Sequence, residues 1–207
     1  LYYDPDRQTC GWSWTFPEES VSQLKAYPSL IIGDKVHLPA GHDASTDLRF
    51  PLFLPRIITL EAAGEFQASG NGAFDFAFDL LFLDGKVSRP EHICAEIMVW
   101  LASSIPCASP MMDQCDVDGY AYDLHVSTVW NPRAPYLAFV LKGAVIPERL
   151  PLHRFIRIGI EKGYVNAKNY AKNYAKNYLA AVELGPEIWW GSGTVTVNNY
   201  KLTINGK

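Results

Sequence analysis

At 207 residues the chain is long enough to bury a substantial core as one large all-β domain, with no need of metal or disulfide staples. Charged residues are 19% and aromatics 13%, with 6 Trp and 11 Tyr, which excludes a disordered chain and supplies many flat rings with polar edges. A formal net charge of -4 without any basic run excludes a nucleic-acid footprint, and no apolar stretch reaches the roughly 18 residues of a membrane-spanning helix.

The chain opens at Leu1 with neither an initiating Met nor a basic leader, as a processed or trimmed start would. From Trp12 to about Val140 the pattern has period two, and Gly, Pro, Asp and Asn clusters punctuate it into short strands. Trp12-Ser13-Trp14 is the first example. In Phe74-Asp75-Phe76-Ala77-Phe78-Asp79-Leu80 the phenyl rings share one face, which must be core, while Asp75, Ala77 and Asp79 share the other. Those two carboxylates either meet solvent or line a cleft. Ala95-Glu96-Ile97-Met98-Val99-Trp100 sets Ile97 and Val99 toward the core and leaves Cys94, Glu96 and Met98 on a face too apolar for open solvent, hence a concave, semi-buried one.

Leu150 to Lys162 reads as the one helix, with Leu152, Phe155, Ile156 and Ile160 on one stripe and Gly163 placed to end it; it is expected on the convex side. Three Ala-Lys-Asn-Tyr copies follow over residues 167–178. A four-residue unit is too short for a solenoid, so they read as a slipped duplication lengthening a loop or helix. Val182 to Trp189 is the last alternating stretch, with Glu183, Glu187 and Trp189 on one side if the strand is regular and Pro186 pointing to an edge or bulge. Everything from 1 to 207 is assigned to one domain.

Cys10, Cys94, Cys107 and Cys115 form an even set that suits an oxidising compartment. Three pairings exist, Cys107 with Cys115 being the easiest bridge, and four free buried thiols are the alternative. Asp116-Val117-Asp118-Gly119 lacks the closing Glu of a calcium loop and reads as a turn. His37, His42, His92, His125 and His153 have no metal-ligand spacing, and no Gly-x-Ser-x-Gly or phosphate-cradling motif occurs.

The chemistry that two carboxyls in apolar strands suit is glycoside hydrolysis, in which one ionised group attacks or activates water and one protonated group releases the leaving oxygen. Glu96 and Glu187 are the candidates, and the plain alternative is two surface glutamates on a sandwich. Glu96-Ile-Met-Val-Trp-Leu, Trp12-Ser-Trp14 leading to Leu24-Lys-Ala-Tyr-Pro28-Ser, Phe78-Asp79-Leu, and Gly185-Pro-Glu187 followed by Gly191-Ser-Gly193-Thr together resemble glycoside hydrolase family 12. The motifs keep the family's order over nearly the whole chain.

The resemblance implies a jelly-roll sandwich of two curved antiparallel sheets with an open concave cleft. It also implies retaining endo-hydrolysis of β-1,4-glucans, without metal or organic cofactor. Carried over by motif, Glu96 is the nucleophile, Glu187 the acid/base, and Asp79 the neighbour that hydrogen-bonds to the nucleophile. Met98 would line the cleft floor, and Trp12, Trp14, Trp100, Tyr122 and Trp189 are candidates for sugar stacking or for core. Two departures stand out: the Asn-x-Trp-Gly segment that members carry before the Trp12 region is absent, and Pro186 replaces a small or hydroxylated residue. A retaining pair is expected about 5 to 5.5 Å apart. The expected partner is a polymeric glucan, met outside the cell by a monomer. The rivals are a xyloglucan-specific endoglucanase and a non-catalytic carbohydrate-binding jelly roll.

Overall fold

The alternating stretches fold as strands, and two of them run far beyond the roughly five or six residues usual for a strand. The computed structural model describes residues 2–4, 8–17, 23–36, 50–129, 134–165 and 177–206. In chain order the strands are β1 (Tyr2–Asp4), β2 (Thr9–Phe16), β3 (Leu30–Gly33), β4 (Leu52–Phe53), β5 (Leu60–Leu83), β6 (Ile93–Ser103), β7 (Met111–Val117), β8 (Tyr120–Ser127), β9 (Tyr136–Leu141), β10 (Arg149–Leu150) and β11 (Tyr178–Ile204), with the helix α1 (Leu152–Glu161) before the last. The main path is β1-β2-β11-β5-β6-β9-β8-β7; β3 and β4 add to β11, and β10 to β5.

The 24 residues of β5 and the 27 of β11 pair along almost their whole lengths, so they form one ribbon that both layers share. The ribbon folds over on itself. Phe66 and Phe78 lie on the same strand, yet their ring centroids are 5.8 Å apart, where a straight strand would hold them about 40 Å apart at about 3.3 Å per residue. The corner falls at the register partners Gly72 and Gly191, both in the left-handed region at φ +92° and +99°. A side chain at either would strike the other strand, Trp190 O lying 2.4 Å from a Cβ on Gly72 and Asn71 O 2.1 Å from one on Gly191.

Between the layers lies the main core, where Phe74, Phe76, Phe78, Leu80 and Phe82 of β5 meet Trp12, Leu60, Phe66, Val195 and Val197. Helix α1 covers the rest of that face. Phe155 packs edge-on against Tyr122 at 4.9 Å and Phe139 at 5.1 Å, and Gly159 lets the helix approach Leu137 and Ile97. Gly163, at φ +78°, follows its end as predicted. The β7–β8 turn carries Asp118 and Gly119 at positive φ, with Asp116 Oδ1 accepting the Gly119 N–H at 2.9 Å.

The jelly roll read from the sequence is the fold observed, with three corrections. Not every pair is antiparallel: β6 and β9 run parallel, because the β7–β8 hairpin returns the chain to the far side of the sheet. Cys94 does not share the face of Glu96, since a register shift between Phe82 and Leu83 turns it against the main core. All four cysteines are free thiols, Cys10 buried and the others half-buried. The Ala-Lys-Asn-Tyr copies lie outside the described residues apart from Asn177 and Tyr178, the latter opening β11.

Candidate active site

β11, β5 and β6 are consecutive in the sheet, and cross-strand partners share a face. Glu183 stands opposite Asp79 and Glu187 opposite Asp75; across β5, Asp79 faces Met98, Leu81 faces Glu96 and Ala77 faces Trp100. One face of three strands thus gathers Asp75, Asp79, Glu96, Glu183 and Glu187. Asp75, Asp79 and Glu183 are buried, while Glu96 and Glu187 keep partial access to solvent.

Pro186 is accommodated next to Glu187 by a gap in pairing. Ile188 N donates to Ala26 O at 2.9 Å, so N–H groups two residues apart on β11 point toward the β3 side, and there β3 has already ended opposite Leu184. Pro186 therefore forgoes no bond to β5. Gly185 admits the chain that fills the gap, for a Cβ there would sit 2.0 Å from Pro28 O. The stretch from Ala26 to Leu30, which runs antiparallel beside β11, sets Tyr27 among the carboxyls, its hydroxyl buried and without a hydrogen-bond partner. Ser29 Oγ and Lys35 Nζ each donate to Glu183 Oε2 at 2.9 Å, and Lys35 Nζ also lies 5.1 Å from the Tyr27 ring centroid. From the opposite side Tyr136, the β9 partner of Glu96, donates its hydroxyl to Met98 Sδ at 3.3 Å.

Burial pushes the Glu96 carboxyl up to about 7, with the Glu187 charge next and Glu183 after it. Glu187 is raised by burial, held back by the Asp75 carboxyl. Asp79 rises well above the usual carboxylate range through burial, then the charges of Glu96, Glu183 and Glu187, against the pull of Lys35. Tyr27 is raised by burial and by Asp79, Glu183, Glu187 and Asp75 in that order. The face therefore favours the protonated forms of Asp79, Glu96 and Glu187 and presents two accessible carboxyls, of which Glu96 is raised by the charge of Glu187.

The sequence model of glycosyl hydrolase family 12 matches residues 53–205, the stretch that carries every one of these carboxyls. The chain belongs to glycosyl hydrolase family 12. Solved structures of family 12 proteins share its fold. The xyloglucanase from Bacillus licheniformis superposes with a TM-score of 0.80 at 20% identity, over 98% of this chain and 84% of that one. Endoglucanase Cel12A from Rhodothermus marinus gives 0.75 at 18% over 94% and 81%, and endoglucanase 3 from Trichoderma harzianum 0.71 at 19% over 96% and 80%. No curated protein sequence matches the chain.

Within this family 12 chain the structure brings together Glu96, Glu187, Asp79 and Met98, the last as buried floor beneath Tyr136. It separates the predicted stacking rings. Trp12, Trp14 and Tyr122 are 4%, 8% and 1% exposed and belong to the main core, because their strands turn these side chains inward against Phe74, Phe155 and their neighbours. Trp100 is on the acid face but buried among Ala77, Met98 and Ala138. Trp189 is half-buried, and a register shift between Ile188 and Trp190 makes Trp190, not Trp189, the partner of Ala73 on the face of Asp75. Sequence reading passed over Lys35, Tyr27, Tyr136 and Trp190. Tyr27 lay inside a quoted motif; nothing local marked the others.

Proposed function

We propose that the protein is a retaining endo-glucanase that cuts β-1,4 bonds of cellulose and related β-glucans. The observation that carries this reading is that, of five carboxyls on one face, Glu96 and Glu187 alone keep access to solvent, on the two strands that flank β5. A carboxylate oxygen of Glu96 bonds to the anomeric carbon as the glycosidic C–O bond breaks, and the departing oxygen takes the Glu187 proton. Water then attacks the anomeric carbon, gives its proton to Glu187 and releases Glu96. Asp79, buried on the same face two positions along β5 from the partner of Glu96, supports the Glu96 anion from its protonated form. Trp190, half-buried just beyond Glu187 and the partner of Ala73 on the face of Asp75, is the ring we assign to sugar stacking. Protons balance within the two carboxyls, so the scheme needs no metal. A polymeric substrate places the work outside the cell.

Proton NMR of the anomeric signals during hydrolysis of barley β-glucan tests the mechanism: the β-anomer is expected to appear first and mutarotate later. First appearance of the α-anomer excludes retention. Glu187→Gln should lower turnover on glucan by about 10²- to 10⁴-fold, the usual share of a general acid. Xyloglucan as a parallel substrate separates the branched specificity, and no reducing sugar from either polymer leaves only a carbohydrate-binding jelly roll.

A further inference from the structure

We propose that Asp75 is a positioning residue that shares one proton with Glu187, fixing the acid/base carboxyl and keeping a proton available for the leaving oxygen. The inference rests on Glu187 being the acid/base. Asp75 is the register partner of Glu187, 0% exposed in the middle of β5, between strands on both sides. Neither of its carboxyl oxygens receives a well-formed hydrogen bond. An ionised carboxylate so placed would be left with its full desolvation penalty. Among the described residues, the ion pair on this face joins Lys35 to Glu183 and leaves Asp75 without a cation.

The carboxyl that stands opposite it is Glu187, and cross-strand partners hold their Cβ atoms about 4.5 to 5.5 Å apart; two carboxyls brought so close are stable when one proton lies between them. The other titratable groups around the pair are Asp79 on β5, Glu183 on β11, Glu96 on β6, Tyr27 from the stretch before β3, Lys35 just after β3, Tyr136 on β9, and Cys107. Most are acids, so they repel a second negative charge and delay loss of the shared proton. Burial, then the Glu187 charge and the contact with its carboxyl, raise Asp75 well above the usual range, partly offset by the Glu187 amide.

Asp75→Asn tests this in the full chain. Asn keeps the shape and can donate to Glu187, but it removes the second carboxylate, so the last proton of the site leaves earlier. The basic limb of kcat/KM against pH on β-glucan should move down by about one unit. A β-cellobioside with a 2,4-dinitrophenyl leaving group, which needs no protonation, should keep far more activity than the polymer. A folded Asp75→Asn protein with an unmoved basic limb overturns the proposal, since Asp75 would then be a plain hydrogen-bond donor that Asn replaces. If the variant does not fold, infrared spectroscopy of the wild type decides. Of the protonated-carboxyl bands at neutral pH, to which Asp79 also contributes, one should shift or vanish in Glu187→Gln, and a wild-type-minus-variant difference spectrum without such a change overturns the sharing. Full activity of Glu187→Gln would sink the acid/base reading itself, a result distinct from either.

Discussion

Lys35 balances Glu183 through a 2.9 Å ion pair whose carboxylate side is 2% exposed. Removing one partner of such a pair leaves an uncompensated charge. Lys35→Met is therefore expected to lower stability by about 3 kcal/mol at neutral pH, measured by urea unfolding. Adding Glu183→Gln should recover part of the deficit; a deficit that this second change leaves untouched would mean that packing, not charge, was lost. At this scale the acids were legible and their company was not. Alternation within each strand groups Asp75 with Asp79, Glu96 with Met98, and Glu183 with Glu187, whereas the turning of all three groups to one face comes from the pairing of the strands. Tyr27 reaches that face from the irregular stretch beside β11 between Ala26 and β3, Lys35 from just after β3, and Tyr136 by a parallel pairing, none of which any local pattern encodes.

Two irregularities of β11 matter at the scale of elements. Gly185 lets Pro28 and Ser29 pack close beside the strand, and Gly185→Ala puts a methyl 2.0 Å from Pro28 O, against backbone. Overpacking of this kind costs about 1 to 3 kcal/mol, and because the displaced segment carries Tyr27 into the acid face, activity should fall with stability. A variant with lower thermal midpoint but wild-type kcat would show that this neighbouring segment serves stability alone. The second irregularity, the extra residue at Trp189, explains why a strict alternation mis-sorted the tryptophans: a bulge has no sequence marker here, and it advances Trp190 to the position after Glu187. The same lack of a marker hid the inward turn of Trp12 and Trp14. In Trp12-Ser13-Trp14 alternation groups the rings correctly but does not tell core from cleft, and their pairing with Val195 and Gly193 is what sends them inward. By contrast, the α1 stripe and its Gly163 stop were readable, because helix periodicity and its terminator are both local.

The whole molecule is a ribbon folded at Gly72 and Gly191 so that one layer backs the other and leaves an acid-lined face. Concentrating carboxyls there has a thermodynamic signature. Groups raised on folding bind protons that the unfolded chain has released, so stability falls as pH rises from the ordinary carboxylate range through about 7, the value to which burial and Glu187 push Glu96. Exposed Asp113, lowered by Lys162, acts the opposite way and only at more acid pH. The thermal midpoint is therefore expected to be highest in mildly acid buffer and to decline toward neutrality, with Glu96→Gln flattening the decline; a wild-type midpoint rising across that range would contradict the burial argument. The sandwich class was legible because short alternating stretches with Gly and Pro breaks admit little else. The continuous ribbon was not, since a corner made of glycines reads as a break between two strands. What the fold is argued to achieve is to bring Glu96 to the anomeric carbon of a glucan whose leaving oxygen meets Glu187. Treatment with a 2-deoxy-2-fluoro-β-cellobioside bearing an activated leaving group, followed by peptide mass mapping, tests that directly. The account predicts a single stable glycosyl adduct on Glu96, and an adduct on another residue, or none while the enzyme turns over glucan, would contradict it.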